Sequence, residues 1–389
     1  MSTVVGIICE YNPFHKGHLY QIEQIRNEVP DATVIAIMSG NIVQRGEFAL
    51  FDKYDRAKIA MECGVNAVFE LPYPYSGSTA EVFAKAGVQL AWRLGCDYLY
   101  FGSECGEVDF LEKVAGAIDS EEFKIKLKEE LKHKEASYVT AKKRALSQLG
   151  IDLTQGSNDM LGIEYIRAIK KGKYPISYRT VKRVGAEYCD TSVCDIMSAT
   201  AIRKNLYDNG ELLSVPQNTR ELYDKLISNG KFLDRNKAMQ LLHSHVLLYE
   251  DTVKKAFDSS KEVSALIIDE AKNARRSQEF FDNLNSKVYT TSRLKRVLLY
   301  SLFNVVGACE SVDFTILLAM DARGQQLLNH IKKIKRINVI TKHSDSRQLE
   351  GESIARLELV YNVDKIYRLL LSNQQPPSDA YKKKPEIKN

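Results

Sequence analysis

The chain has 389 residues, 44% of them hydrophobic and 27% charged, with a net charge of +5. That is length enough for two domains and a sizeable core, in the composition of an ordinary soluble protein. No uninterrupted apolar run of about 18 residues occurs, so a transmembrane helix is excluded, and no basic region followed by an apolar stretch opens the chain, so a cytoplasmic location is expected. The cysteines Cys9, Cys63, Cys96, Cys105, Cys189, Cys194 and Cys309 form no Cys-x-x-Cys pair. Reduced, structural thiols are therefore expected, and a zinc site is not.

Val4-Val5-Gly6-Ile7-Ile8 reads as a buried strand. Glu10-Tyr-Asn-Pro-Phe-His15-Lys-Gly17-His18 follows, with a turn at Asn12-Pro13, and helical spacing resumes at Leu19, Ile22 and Ile25. Two histidines flanking a glycine thus stand where a strand becomes a helix. Free backbone N–H groups and the positive end of the helix dipole suit that place to phosphate. Histidines three apart point the same way and can donate hydrogen bonds to phosphoryl oxygens as charge builds; the alternative is a chance tetrapeptide in a turn.

Thr33-Val-Ile-Ala-Ile-Met38 is a second buried strand, followed by the polar loop Ser39-Gly-Asn-Ile-Val-Gln-Arg-Gly-Glu47. Asp52 caps a helix running to Cys63, Asn66 to Leu71 is a third strand stopped by Pro72 and Pro74, and Ser78 to Leu94 is helical. Asp97-Tyr-Leu-Tyr-Phe101 is a fourth strand, ending in Gly102-Ser103. Strands joined by helical crossovers predict an α/β fold with a doubly wound parallel sheet. Ligands of such sheets bind beyond the carboxyl ends of the strands, where the loops after strands one, two and four meet.

Val108 to Leu149 is helical and highly charged, Ser157 caps a helix over 158–171, Tyr178 to Val184 is a strand, and Ser198-Ala-Thr200-Ala-Ile-Arg203 opens a short helix. Beyond about residue 210 helices dominate, over Asn236 to Glu250, Lys261 to Asn283 and Ser292 to Val306. A strand over Phe314 to Met320, a turn at Asp321-Ala-Arg-Gly324, a helix to Ile334 and a strand over Ile337 to Ile340 complete the pattern. The expected division is a catalytic domain over 1–209, a mostly helical domain over 210–373, and a polar, proline-containing, Lys-rich disordered tail over 374–389. Basic runs at 124–134, 142–144, 170–183, 293–296 and 332–336 are compatible with a polyanion surface or with solvated helix faces.

Several side chains carry two readings. Ser198 and Thr200 at a helix start, with Arg203 a turn later, are either a plain N-cap or a phosphate cradle. Lys182 and Arg183 are a surface pair, or Arg183 clamps phosphate bidentately. Asn158 and Asp159 start a helix, or Asn158 contacts a nucleotide through its amide. Gly102 is a turn residue, or it lets a ligand pack closely. Arg45, in the loop over 39–47, suits a carboxylate or an RNA phosphate. Asp52, Lys53 and Arg56 line the same cleft, or they cap and solvate the next helix.

His15-Lys-Gly17-His18 resembles the His-x-Gly-His motif of the nucleotidylyltransferase superfamily, and Ser198-Ala-Thr200-Ala-Ile-Arg203 resembles the Ser-x-Thr-x-Ile-Arg motif of the same enzymes. Together with Ser39 to Glu47, Glu70-Leu-Pro72, Ser157-Asn-Asp-Met-Leu-Gly-Ile-Glu-Tyr165 and Val181-Lys-Arg-Val-Gly185, they look like the bacterial tRNA(Met) cytidine acetate ligase family, over the whole chain. Thr291-Ser-Arg-Leu-Lys-Arg296 is a looser likeness. Ile42 stands where the family usually has Phe, and Phe48 where it usually has Pro.

The resemblance implies a Rossmann-like nucleotidylyltransferase sheet and a two-step reaction. Acetate and ATP, with Mg²⁺, give acetyl-adenylate and pyrophosphate; the acetyl group then passes to the exocyclic amine of the wobble cytidine of elongator tRNA(Met). It implies His15, His18, Arg45 and Lys182 as catalytic residues. It implies ATP contacts by Ile7, Ile8, Cys9, Glu10, Tyr11, Asn12, Pro13, Phe14, His15, Lys16, Gly17, His18, Leu19 and Tyr20, and by Gly102, Asn158, Arg183, Ser198 and Thr200. Arg293, Lys295, Arg296, Lys332 and Lys333 are the residues expected to contact tRNA. No membrane partner is expected. The alternatives are an adenylyltransferase acting on another small carboxylate or phosphate compound, and a non-catalytic tRNA-binding protein that keeps a nucleotide fold.

Overall fold

The computed structural model describes residues 2–132, 138–152, 156–183, 196–284, 289–308 and 311–388. Cys189, Cys194 and Cys309, with Val184 and Gly185, lie outside them. The first half runs β1 (Val4–Cys9), α1 (Lys16–Glu28), β2 (Thr33–Ser39), β3 (Ile42–Val43), β4 (Glu47–Phe48), α2 (Lys53–Glu62), β5 (Ala67–Leu71), α3 (Ala80–Arg93) and β6 (Tyr98–Ser103). It continues through α4 (Val108–Asp119), α5 (Glu121–Glu130), α6 (Tyr138–Ser147), α7 (Ser157–Gly172), β7 (Ser177–Lys182) and α8 (Ala199–Asn209). The second half is α9 (Arg220–Ser228), α10 (Arg235–Leu248), α11 (Glu250–Lys255), α12 (Lys261–Asn273), α13 (Ser277–Asn283), α14 (Thr291–Leu302), β8 (Phe314–Met320), α15 (Ala322–Ile334), β9 (Asn338–Ile340), α16 (Glu352–Leu369) and β10 (Glu386–Ile387).

The main sheet has the order β10-β8-β5-β2-β1-β6-β7, with β9 also on β8. β5, β2, β1, β6 and β7 are parallel, and the chain leaves β1 first to one side and then to the other. The topological switch point therefore lies between β1 and β6, where doubly wound sheets open a crevice for ligands. Side-chain alternation explains why these strands read as continuous apolar runs. Val4 and Ile8 of β1, with Ile35 and Ile37 of β2, face a core shared with α3, α4, α7 and α15. Val5, Ile7 and Cys9, with Val34, Ala36 and Met38, face the opposite core against α1, α2, α8 and α16. A third core holds α10 to α14 together and reaches α16 and the β3–β4 hairpin through Tyr367, Ile42 and Phe48.

The sheet is mixed rather than purely parallel, because β8 runs antiparallel to β5. The sheet does not end at residue 209: β8, β9 and β10 come from the second half of the chain. The segment expected to be a disordered tail is ordered in part. It forms a short 3₁₀ turn over Pro377–Tyr381, and β10 pairs with β8 at Ala319 and Met320. A polar composition hid this because only a main-chain ladder is needed at a sheet edge. The helix expected over 261–283 is two, since Ala274 adopts extended backbone at the end of α12. Ser157 is the first residue of α7 rather than its cap; the preceding Gly156 is extended and supplies no side chain. Instead the Glu104 carboxylate accepts from the backbone N–H of Asp159 (2.8 Å) and of Asn158 (3.3 Å).

Lys53 and Arg56 of α2 are neither cleft residues nor solvated. Both are fully buried. Arg56 donates to four carbonyls: Phe51 O at 2.9 Å, Glu10 O at 2.6 Å, Ser39 O at 3.0 Å and Gly40 O at 2.5 Å. It thereby fastens the chain at the carboxyl ends of β1 and β2, where Glu10 and Gly40 lie one residue past the strands and their carbonyls need donors. Lys53 Nζ lies 2.7 Å from Glu70 Oε2 on β5 and 2.6 Å from Asp364 Oδ2 on α16. Asn41 donates to Asp364 Oδ1 at 3.0 Å. Burial, with Asp364 beside it, pushes the Glu70 carboxyl up to about 7 against the pull of Lys53.

The β3–β4 hairpin leans on α14. Gly46 has φ +76°, and a Cβ there would stand 2.6 Å from the Arg296 backbone nitrogen. Gly46→Ala is expected to cost about 1–2 kcal/mol from left-handed backbone alone, with further cost from that contact. Urea unfolding of the variant measures it, and an unchanged midpoint counts against a rigid hairpin seat.

Candidate active site

A cavity of about 470 Å³ opens at the carboxyl ends of β1, β6 and β7. Its floor is Ile8, Cys9, Glu10 and the turn into α1; one wall is Gly102, Lys182 and Arg183; the opposite rim is Val43 to Arg45 and Glu47 of the hairpin. The N-terminal residues of α7 and α8 bring Asn158 and Ser198, Ala199 and Thr200 to the same space, and Phe83, Phe101, Leu161 and Tyr165 make an apolar flank.

His15 is the N-cap of α1. Its Nδ1 accepts from Gly17 N at 3.1 Å, while His18 Nδ1 accepts from His15 N at 3.2 Å. The two rings stack with centroids 3.8 Å apart, and Tyr11 packs edge-on against His18 at 4.9 Å. Because each Nδ1 is an acceptor, each neutral ring carries its hydrogen on Nε2, which is then the only ring donor left for a ligand. Burial and the Arg183 guanidinium lower the His15 pKa to about 4. Burial, His15 and Arg183 hold His18 well below the ordinary histidine range. Near neutral pH the pair is therefore two uncharged N–H donors beside one arginine.

The other polar groups are held from behind. Glu10 accepts from Gln44 N at 2.9 Å, and burial raises its pKa. Ser198 Oγ caps α8 by accepting from Ala201 N at 3.2 Å, which leaves its O–H free to donate. Arg203 donates to Asn12 O at 2.7 Å and lies 3.8 Å from Glu47 Oε2. The buried Asn12 side chain accepts from Leu50 N at 2.7 Å, and its amide nitrogen has no partner among the described residues.

Of the residues expected at a nucleotide, Ile8, Cys9, Glu10, Tyr11, Asn12, His15, Gly17, His18, Tyr20, Gly102, Asn158, Arg183, Ser198 and Thr200 line this cavity. Ile7 and Phe14 are packed into the core behind it and do not reach its wall. Pro13, Lys16 and Leu19 are not on its wall. Asn158 commits its amide nitrogen to Glu104 at 2.6 Å, leaving its amide oxygen for a ligand. Arg45 and Lys182 are exposed at the rim. The apolar flank was not anticipated; Phe101, adjacent to Gly102, and Tyr165, in the quoted 157–165 segment, were the available signals.

The five basic residues expected at RNA fall in two places. Arg293 pairs with Asp258 at 3.0 Å, Lys295 pairs with Glu47 at 2.5 Å, and Arg296 is buried. Lys332 and Lys333 are exposed on α15, which follows β8, the strand between β5 and β10. That strand is three places from β1, or about 14 Å across the sheet.

A model of the HIGH Nucleotidyl Transferase family matches residues 1–382. The chain is 34% identical over 371 residues to the tRNA(Met) cytidine acetate ligase of Fusobacterium nucleatum, covering 92% of each protein. It is 33% identical over 376 residues to that of Caldicellulosiruptor saccharolyticus, covering 94% of this chain and 93% of the relative. The chain belongs to the tRNA(Met) cytidine acetate ligase family. Thermotoga maritima TmcAL bound with alpha-thio ATP superposes with a TM-score of 0.89 at 28% identity, over 99% of both chains. The apo form of that protein superposes with a TM-score of 0.90 at 29% identity, again over 99% of both. The Thermotoga maritima protein thus shares the whole architecture described above, helical second half included. Among the described residues no helix is long and apolar enough to cross a membrane.

Proposed function

We propose that the chain is an ATP-dependent ligase that activates acetate as acetyl-adenylate and then acetylates the exocyclic amine of the wobble cytidine of elongator tRNA(Met). The observation that carries this reading is the stacked, neutral His15–His18 pair with Arg183 at the switch-point cavity. ATP lies along that cavity, with its base against the apolar flank and its phosphates toward the starts of α1 and α8. An acetate oxygen attacks the α-phosphorus in line; the P–O bond to the β-phosphate breaks, and pyrophosphate leaves. The Nε2–H groups of His15 and His18 donate to the α-phosphoryl oxygens as negative charge grows there. Arg183 and the hydroxyls of Ser198 and Thr200 hold the departing pyrophosphate. Arg45 and Lys182 stand at the mouth, placed for acetate and for RNA phosphate.

Among the described residues no three His, Cys, Asp or Glu side chains converge to hold a metal ion. A Mg²⁺ ion would therefore come with the nucleotide phosphates, and no step here passes through it. In the second step the cytidine amine attacks the acetyl carbonyl carbon, the bond to the phosphate oxygen breaks, and AMP leaves. The helices α9 to α14 form the unit that holds the RNA.

Purified protein incubated with ATP, Mg²⁺, labelled acetate and bulk bacterial tRNA is expected to release pyrophosphate and to place label in acetylcytidine of one tRNA. Label in adenylate only, or better turnover with another acid, would replace this reading by a different adenylation. Because both imidazoles are already neutral, acetate-dependent ATP–pyrophosphate exchange is expected to be flat between about pH 6 and 8. A profile rising toward acid with a midpoint near the ordinary histidine pKa contradicts neutral donors.

A further inference from the structure

Beside the nucleotide cavity lies a second cavity of about 430 Å³. Glu47, Thr200 and Arg203 belong to the walls of both. Its far side is apolar, from Leu50, Met239, Leu242 and Phe281, and its open edge carries the exposed Lys204 and Arg235. The partition is ionic: Lys295 Nζ lies 2.5 Å from Glu47 Oε1 and Arg203 Nη2 lies 3.8 Å from Glu47 Oε2. The α10, α13 and α14 helices form most of this second chamber, while the hairpin and α8 form the wall it shares with the first.

We propose that the second cavity receives the acceptor nucleoside extruded from RNA, and that Glu47 in the shared wall accepts a hydrogen bond from its exocyclic amine. This inference rests on the proposed ligase function and names the place where its second substrate binds. A group attacking an acyl-adenylate must reach the carbonyl carbon beside the α-phosphate, and a space sharing a wall with the nucleotide cavity allows that reach. An unstacked base needs an apolar face to replace its stacking partners, which Met239, Leu242 and Phe281 supply. Its phosphates need cations, which Lys204 and Arg235 supply at the open edge. A base bearing an amino group presents a donor, and Glu47 is an ionised acceptor. Although burial works against ionisation there, Lys295, Arg203 and Arg45 together hold its pKa below the ordinary carboxylate value.

During transfer the new C–N bond forms as the C–O bond to the phosphate breaks, and AMP leaves with that electron pair. The proton lost from nitrogen passes to the Glu47 carboxylate, which is partly exposed and returns it to water.

The test separates the two half-reactions. Met239→Trp, which fills the second cavity, is expected to keep acetate-dependent ATP–pyrophosphate exchange within about twofold and to lower acetyl transfer to tRNA at least tenfold, roughly the effect of a lost base pocket. Glu47→Gln is expected to lower the transfer rate constant about 100-fold with pre-formed acetyl-adenylate, the size of a lost acid–base group, with tRNA retained in filter binding. Glu47→Asp recovers part of that loss if the carboxylate itself is needed. Normal transfer by Met239→Trp, or normal transfer by Glu47→Gln, overturns the inference alone. Wild-type protein with no acetate-dependent exchange overturns the ligase reading and this inference with it.

Discussion

His18→Ala is expected to lower acetate-dependent ATP–pyrophosphate exchange by about 10²–10³-fold, the loss typical of one preorganised donor to a developing oxyanion. The fold should survive, since His18 is partly accessible at the cavity rather than part of the hydrophobic core. The variant also removes the Nδ1 that accepts from His15 N at 3.2 Å, so the cap of α1 loosens and His15 loses its stacking partner. His18→Asn distinguishes these effects. An amide oxygen can accept from His15 N while its NH₂ donates to the nucleotide, so partial recovery of exchange is expected. Full exchange in His18→Ala, with the same circular dichroism and ATP affinity as wild type, would falsify the role given to the pair.

Lys53→Met is expected to destabilise the protein by about 3–5 kcal/mol, the usual consequence of removing one partner from a buried ion cluster. It leaves Glu70 and Asp364 facing each other without a cation in a site closed to water. The penalty depends on pH, and its sign follows from Glu70. Its folded pKa, about 7, lies above the ordinary 4.5. The stability linked to its protonation is therefore fully present below about pH 4.5 and is lost as pH rises through about 7. Removing Lys53 raises the carboxyl pKa values further. The variant should consequently lie closest to wild type near pH 5.5 and fall furthest behind near pH 8. Urea midpoints at the two pH values measure this, and a penalty that shrinks toward pH 8 contradicts the assignment. Lys53→Met combined with Glu70→Gln and Asp364→Asn should recover much of the loss, because neutral groups carry no such desolvation cost.

The local features of the site were legible in the sequence. A strand, a Pro turn and His15-Lys-Gly17-His18 at a helix start encode one wall of the cavity at the carboxyl end of β1, and Asp52 and Ser198 cap their helices through bonds to residues two and three positions on. Such signals survive because both partners lie within one turn of chain. Buried polar residues misled for the opposite reason. Lys53 and Arg56 look like a solvated helix face until Asp364 and the ends of β1 and β2 close over them. Ser157 looks like a cap until Glu104 takes its place.

By itself, then, the sequence determined the parallel strands β1, β2, β5, β6 and β7, their strand-to-helix turns and the histidine pair at the start of α1, since hydrophobic period and capping chemistry are properties of short segments. Tertiary structure alone decided three things. β8 to β10 from the second half of the chain complete the sheet, because edge pairing uses main-chain groups that every residue carries. Lys295 of α14 meets Glu47 of the hairpin, 248 residues apart, because charge pairing depends on where folding delivers the side chains. The second cavity exists only where the hairpin, α8 and the α10, α13 and α14 helices meet, since a void belongs to the packing of several elements and to none of them singly.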